Sequence, residues 1–593
     1  MLGGVVFFSC LFTLPQVMDF MLVPRFLVGS VALIFLIVLI PIATKQKQEV
    51  HFIFIVYFLY YLLNIFSASW AFSLSEALFE SQKIIIGILI FFLTIFFLKQ
   101  QKNFEIKLYT VIGIITSIYI FVSLIQIATQ KTFSFSEMYN ISSLNGNKNL
   151  FSSFLFLLLA FNLSGIKTHS GKIKKLLIVN SCLSIILIVI LQTRAVWIAL
   201  VVSIIIYGIL TFRELKQQSK KSILIFIGIL FIIGISSFLF LYESGNLPKF
   251  RNQLNITKYT SSESGRERLV LWKKTAGLIK EHPVIGCGAG NWQFNIGSQT
   301  IIALENDELK DITFQRPHND FLWIWSETGT LGILLFLIVY LYILGYAVIS
   351  HLKTQDREAK TNALFIAALS GYLVISFFDF PKERIEHLMF SNIVLAILFI
   401  KSKTESKKLV FQIRIPGYLK VVVISLLTLN LFIGVSRIRG EMNTLKMINA
   451  KMDGRWNDVI EFSDKAMSVF YSSDPMSMPV SWYRGLAYFH LKNYSESVAE
   501  FSEALSLNPF NKDILSDMGS AQLKSSEPEM AKKYYLEALR ISPDFDTPKF
   551  NLAVIFLNEK KYEEALNWAK KLNNSHPIKE NLKNDILKQM QDK

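Results

Sequence analysis

The sequence predicts an all-α protein with two parts, a polytopic bundle of membrane helices and a soluble stack of helical repeats. Hydrophobic residues make up 52% of the 593 residues and the mean hydropathy is +0.41, a composition typical of membrane proteins. Long apolar runs recur up to residue 436. Beyond that point the chain becomes polar and repeats every 34 residues, which is typical of a helical solenoid.

Thirteen apolar segments predict about 12 to 13 transmembrane helices, because the first and the twelfth are short. Only a helix pairs every backbone group of a single segment in hydrocarbon. The first segment lacks a basic region and a cleavage pattern, so we expect a membrane segment rather than a removed signal. The segments lie near 2–14, 25–43, 50–68, 82–98, 106–128, 149–166, 175–192, 195–212, 222–242, 321–350, 361–378, 386–400 and 418–436.

The distribution of lysine and arginine between the loops predicts the orientation. Every second loop is rich in these residues and is expected in the cytoplasm. The N-terminus is then cytoplasmic, while loop 243–317 and residues 437–593 lie outside, in the periplasm of a Gram-negative cell. This asymmetry also accounts for the net charge of +16 without a nucleic-acid partner. The short external loops carry only Lys131, Lys148, Arg194, Lys382 and Arg384.

Loop 243–317 has structure of its own. Residues 266–281 have Leu269, Trp272, Ala276 and Ile279 at helical spacing, and we expect this apolar face to lie on the membrane or on neighbouring helices. The glycine-rich run 286–290 is expected to be a flexible turn. A nucleotide fold is rejected, because no strand precedes this run.

The polar C-terminal part resembles a tetratricopeptide-repeat domain. Small residues, alanines and closing prolines keep phase at a spacing of 34 residues, which predicts repeats at about 480–511, 514–545 and 548–579. The groove of such a stack is suited to a protein partner. The positions in phase are Gly485, Gly519 and Ala553, Ala504 and Ala538, and Pro509, Pro543 and Pro577.

Candidate functional residues lie on the external side. His318 can accept a proton near neutral pH, although a structural histidine is the alternative. Arg194 stands between two apolar segments, where it needs a partner or water. Arg266, Arg268 and Arg316 could hold an anion, and ordinary surface charge is the alternative. Another charged group could line the same cavity or form a solvated turn of ion pairs: Asp379, Lys382, Glu383, Arg384 and Glu386.

Residues 1–436 resemble the O-antigen ligase and polymerase superfamily of bacterial envelope glycosyltransferases. One motif is His318-Asn319 followed by Gly329 and Gly332. A second is Arg268-x-x-x-Trp272 followed by His282-Pro283-x-x-Gly286-x-Gly288, with Arg266 as the alternative arginine, and a third is Thr193-Arg194. The repeats are not part of this family's core pattern.

The resemblance implies a GT-C-like bundle in the bacterial inner membrane that moves a glycan from undecaprenyl-pyrophosphate to an acceptor, without a metal or cofactor. His318 would be the general base and Arg194 and Arg268 would hold the pyrophosphate, with inversion at the anomeric carbon. Other substrate contacts would come from Arg266, Arg316, Asn319 and Trp272. Membrane lipids and a protein bound by the repeats are further expected partners.

Three acceptors remain open: lipid A-core (a ligase of lipopolysaccharide biosynthesis), a growing polysaccharide (a polymerase) or a protein side chain (an O-oligosaccharyltransferase). Two other classes compete. A transporter predicts ionisable residues in mid-membrane and symmetry between halves of the chain, neither of which is clear in the sequence. A non-catalytic scaffold predicts that the arginines and His318 are dispensable.

Overall fold

The computed structural model describes residues 1–40, 47–130, 141–215, 263–299, 314–353, 359–402, 410–414, 417–573 and 577–591. The predicted all-α fold with membrane helices and C-terminal helical repeats is confirmed. Twelve of the thirteen apolar segments are helical, and the segment near 222–242 lies outside the described residues. Eight of the described helices are long and apolar enough to cross a membrane.

The helices of the first 452 residues follow the order of the apolar segments, with two further helices in the long loop. They are α1 (Leu2–Leu11), α2 (Leu22–Leu39), α3 (Phe52–Ser67), α4 (Leu74–Gln100), α5 (Phe104–Ala128), α6 (Lys148–Thr168), α7 (Gly171–Leu191), α8 (Arg194–Leu215), α9 (Glu263–Glu281), α10 (Trp292–Asn295), α11 (Asp320–Lys353), α12 (Ala359–Phe378), α13 (Ile385–Lys401) and α14 (Leu419–Met452). Short 3₁₀ turns occur at Ile296–Ser298 and Pro381–Glu383.

The core of the membrane part lies around α4, α6 and α13. The short helix α13 packs against α4, α11 and α12, and its Phe390, Ile393 and Leu395 are fully buried. A helix enclosed on all sides needs no polar face, and the second half of α13, residues 393–400, is entirely apolar.

A two-stranded antiparallel sheet joins two connections between helices. Strand β1 (Lys47–His51) pairs with β2 (Val410–Arg414), with Lys47 opposite Arg414. Both strands fall in loops that the charge distribution places on the same side of the membrane, as pairing requires. The sequence did not predict this sheet.

The predicted loop helix is present as α9, but its buried face differs from the expected one. Leu271, Thr275 and Leu278 are buried, whereas Leu269 and Ala276 are exposed. The spacing therefore predicted the helix correctly and its orientation only in part. Trp272, at the edge of the buried face, packs against the rings at the end of α12.

The glycine-rich run 286–290 is buried and tightly packed, so the expected flexible turn was wrong. Gly286 has φ +71, and a Cβ there would lie 2.3 Å from the backbone of Glu327. The Cys287 amide donates to the Ser326 carbonyl at 2.9 Å. Facing this run, α11 is kinked at Gly329, where φ is 65° and ψ is −170°. Glycine serves close backbone approach here rather than flexibility.

The C-terminal part contains the predicted helix pairs. α15 (Trp456–Ala466) follows the long helix α14. Because α14 continues unbroken across residues 436 and 437, it does not mark the predicted domain boundary there, and that boundary stays a prediction. Gly485 and Gly519 lie against the rings of Phe501 and Tyr535, confirming that small residues allow paired helices to approach. The remaining helices are α16 (Val480–His490), α17 (Tyr494–Leu507), α18 (Lys512–Lys524), α19 (Pro528–Ile541), α20 (Asp546–Asn558), α21 (Tyr562–Lys570) and α22 (Lys579–Gln591).

The repeat part packs directly on one end of the membrane bundle. Ser472 lies 2.8 Å from the hydroxyl of Ser75 at the start of α4. The sulfur of Met476 accepts from the Gln315 amide at 3.8 Å. The two parts therefore meet beside the loop that carries His318.

Candidate active site

His318 lies in a constrained backbone conformation with a buried carboxylate beside it. Its φ is 53°, the left-handed region that residues with a Cβ rarely adopt. Nδ1 lies 3.6 Å from Oδ1 of Asp379, and the imidazole is 30% exposed while the carboxylate is almost completely buried. This distance exceeds a hydrogen bond. Contacts of this kind are often long before substrate binds.

The loop around His318 is fixed by two residues that the sequence singled out. The Asn319 side chain accepts from the Leu322 amide at 2.9 Å, capping α11. The Trp272 indole donates to the Pro317 carbonyl at 3.0 Å. Both residues therefore hold backbone next to His318, and substrate contacts by either one stay predictions.

Arg316 is engaged by protein groups of the membrane part. Its guanidinium contacts Glu383 Oε1 at 2.5 Å and Gln293 Oε1 at 2.9 Å, and it lies over the Trp323 ring. Burial favours the neutral acid, but the Arg316 and Arg384 guanidiniums hold the pKa of Glu383 below its ordinary value. An anionic ligand would have to compete with this ion pair.

Lys148 connects two of the candidate arginines with the carboxylate that faces His318. Lys148, the first residue of α6, interacts electrostatically with Arg194, Arg268 and Asp379. Arg194 begins α8, directly after the turn at Gln192. These groups come from three helices far apart in sequence, and Asp379, a neighbour of Lys148, also faces the histidine.

The two alternative arginines of the loop helix differ in their surroundings. Arg268 is half-buried and Arg266 is exposed. The charge of Arg268 reaches Lys148, which makes Arg268 the better candidate of the two.

The five charged residues of the turn after α12 have different partners, and the structure favours neither a shared cavity nor a solvated turn. Asp379 faces His318, whereas Glu383 pairs with Arg316. The other three residues of the turn form ion pairs with groups outside the proposed site. Lys382 lies near Glu80 and Glu327, Arg384 pairs with Asp19, and Glu386 pairs with the fully buried Arg25.

A small cavity of about 50 Å³ lies inside the bundle beside Asp320, and its lining is more apolar than polar. Charged and hydroxyl groups line it, including Glu80, Lys83, Lys382 and Tyr340. A cavity of this size has room for a few water molecules.

The sequence did not assign two members of the site. Lys148 served only to predict topology, and Asp379 was one of five charged residues in a turn. The available signal for Lys148 was its position beside Asn147 at the external start of an apolar segment. That position alone does not identify its neighbours.

Two known families match this chain, one within the membrane part and one within the repeat part. Residues 179–337 match the family described as O-Antigen ligase, and residues 480–511 and 513–545 each match the Tetratricopeptide repeat. The fold and these matches define a multi-pass membrane protein that carries an O-antigen ligase domain followed by tetratricopeptide repeats. The resemblance predicted from the sequence is thereby confirmed.

Individual relatives match over a shorter stretch. The chain is 31% identical over 112 residues to a protein of Rickettsia conorii that is provisionally named a polysaccharide ligase, covering 18% of this chain and 26% of that protein. A protein of Rickettsia prowazekii with the same provisional name is 31% identical, with 18% and 27% covered. The chain thus spans about a quarter of the length of these relatives.

Proposed function

We propose that this chain is a membrane glycosyltransferase that moves a glycan from undecaprenyl-pyrophosphate to a hydroxyl or amine of an acceptor, independently of metal and with inversion. One observation carries the proposal: Lys148 is the electrostatic neighbour of both Arg194 and Arg268 and also of Asp379, the carboxylate that faces His318. The match of residues 179–337 to the O-antigen ligase family supports it.

The arginines suit the leaving group. As the bond between the anomeric carbon and the phosphate oxygen breaks, its electron pair passes to the pyrophosphate, which gains negative charge. Guanidinium groups bind phosphate oxygens in a bidentate manner and stay charged at any physiological pH. Arg194 and Arg268 would therefore stabilise the transition state more than the ground state.

His318 suits the acceptor. Its Nδ1 faces Asp379, which leaves Nε2 for the acceptor group. Nε2 takes the acceptor proton as the new bond to the anomeric carbon forms, and the Asp379 carboxylate stabilises the resulting imidazolium. Attack opposite the departing pyrophosphate inverts the anomeric carbon.

One observation favours a protein acceptor over lipid A-core or a growing polysaccharide. Met476 of the repeat part contacts Gln315, which stands three residues before the proposed base, His318. A protein bound by the repeats would thus be presented near His318. The names of the Rickettsia relatives favour a polysaccharide product instead.

The glycan and lipopolysaccharide profile of a strain that lacks this protein distinguishes the three acceptors from one another and from a transporter or a scaffold. Lipid-linked polymer that accumulates without attachment indicates a ligase, and single repeat units indicate a polymerase. Loss of glycoprotein staining with unchanged lipopolysaccharide indicates a protein glycosyltransferase. An unaltered glycan profile would favour a transporter or a scaffold.

The site is tested by expressing the His318→Ala and Arg194→Ala variants in the deletion strain and measuring glycan transfer. We expect His318→Ala to lower transfer by the roughly 10²–10⁴-fold that a general base supplies, and Arg194→Ala to abolish detectable transfer, with normal amounts of folded protein. His169→Ala and Arg439→Ala are matched controls outside the site and should keep transfer. Normal transfer by purified His318→Ala would refute the mechanism.

A further inference from the structure

The loop tip, residues 282–285, connects α9 with the buried glycine-rich run and exposes two apolar side chains. Val284 is 57% exposed and Ile285 is 41% exposed. Single exposed apolar residues are common on protein surfaces and need no partner. The contacts around the loop tip therefore decide what its side chains face.

The backbone of the loop tip is already hydrogen-bonded within the protein. The Thr330 amide and hydroxyl both donate to the Pro283 carbonyl at 2.8 Å. The Leu331 amide donates to the Val284 carbonyl at 3.2 Å. Carbonyl groups that are paired in this way lose little when water is removed, which is the condition for a loop to enter a membrane surface.

Leu331 also begins an exposed apolar stripe on α11, one of the helices that are long and apolar enough to cross a membrane. Such a stripe on a membrane helix faces the lipid chains. Its members recur at helical spacing and are Leu331, Leu334, Ile338 and Leu341. The hydrogen bond between Leu331 and Val284 thus places the loop tip directly beside the first residue of a lipid-facing surface.

Two exposed tryptophans lie at the level of the loop tip. The Trp70 indole donates to the Gly286 carbonyl at 3.1 Å, and the Trp325 indole donates to the Thr330 hydroxyl at 3.1 Å. Tryptophan is enriched where a membrane meets water, because its ring is apolar and its N–H needs a partner. The two rings therefore indicate that the loop tip lies at the membrane–water interface.

We propose that the loop tip is a membrane anchor, in which Val284 and Ile285 insert into the lipid leaflet on the side of the candidate site. The partner is the bilayer rather than another protein, because the loop tip continues the lipid-facing stripe of α11. The anchor does not depend on the proposed function. Since the loop tip directly follows α9, it would hold the end of the helix that carries Arg268 and Trp272 at the membrane surface.

The test measures the depth of a fluorescent label on the full-length protein in nanodiscs of phosphatidylethanolamine and phosphatidylglycerol. Bimane is attached to Val284→Cys and to Ile285→Cys in a Cys182→Ser background, because the other two cysteines are buried. Quenching is measured with iodide in the water and, separately, with a nitroxide carried near the start of the lipid acyl chains.

Two exposed apolar positions of known surroundings serve as matched controls. Ile338→Cys lies on the stripe of α11 and reports the lipid environment. Leu536→Cys lies on α19 in the repeat part and reports water.

We expect both labels on the loop tip to behave like Ile338→Cys, with strong quenching by the lipid nitroxide and loss of the iodide quenching seen at Leu536→Cys. Quenching by iodide without quenching by the nitroxide would overturn the anchor and show that the loop tip lies in water. Protection from both quenchers would also overturn it, because a protein segment would then cover the loop tip.

Discussion

At the scale of single residues, the conformation of His318 is fixed before substrate binds. A histidine with positive φ is strained, and such strain persists where surrounding contacts over-determine it. Those contacts are the Asn319 cap and the bond from Trp272 to Pro317. The imidazole is thereby held with Nδ1 towards Asp379, and a base that is oriented in advance loses little freedom on reaction.

Asp379→Asn tests the role of this carboxylate. The variant keeps the size of the side chain and removes its charge, so the imidazolium is less stable. We expect kcat to fall by up to the roughly 10²–10⁴-fold contribution of the base, with little change in KM. An unchanged kcat would show that Asp379 does not act through His318.

The sequence identified residue types but not their neighbours. All seven predicted site residues lie within residues 179–337, the stretch that matches the ligase family. Lys148 and Asp379 lie outside it, and their proximity to the site depends on how α6 and α12 pack. Helical periodicity describes one segment at a time, so it could not separate Asp379 from the other charges of its turn.

At the scale of elements, the kink in α11 places the loop helix against the bundle. The backbone at Gly329 lies against Val284, and the Thr330 amide donates to the Pro283 carbonyl at 2.8 Å. The kink exposes amides that the loop after α9 satisfies. The downstream glycines of the predicted motif were visible in the sequence, but this partner for Gly329 was not.

Gly329→Ala should destabilise the protein. A Cβ there would lie 2.1 Å from the Val284 carbonyl oxygen at a φ of +65°. We expect a loss of roughly 1–3 kcal/mol from overpacking and a further loss of about 1–2 kcal/mol from the left-handed backbone. Thermal unfolding measures this as a lower Tm.

Gly345→Ala is the matched control in the same helix. A Cβ at Gly345 meets nothing within 4 Å, so alanine should leave the Tm unchanged or raise it slightly. Equal Tm values for the two variants would contradict the close approach at Gly329.

At the scale of the whole molecule, the proposed site is assembled from α6, α8, α9, α11 and the turn after α12, at the end of the bundle where the repeats pack. A buried ion pair at 2.8 Å between Arg437 of α14 and Glu76 of α4 fixes this junction. The hydrophobic runs and the 34-residue period predicted both parts of the fold. Neither pattern predicts how the two parts are placed relative to each other, because that placement depends on contacts such as the one between Ser75 and Ser472.

The central claim is tested most directly by the stereochemistry of a single transfer. Purified protein is incubated with an undecaprenyl-pyrophosphate glycan of known anomeric configuration and an acceptor, and the product linkage is determined by NMR. We predict the inverted anomer, released together with undecaprenyl-pyrophosphate, and a yield lowered by roughly 10²–10⁴-fold with His318→Ala. Retention of configuration, or transfer that leaves no undecaprenyl-pyrophosphate, would contradict direct displacement by an acceptor that His318 activates.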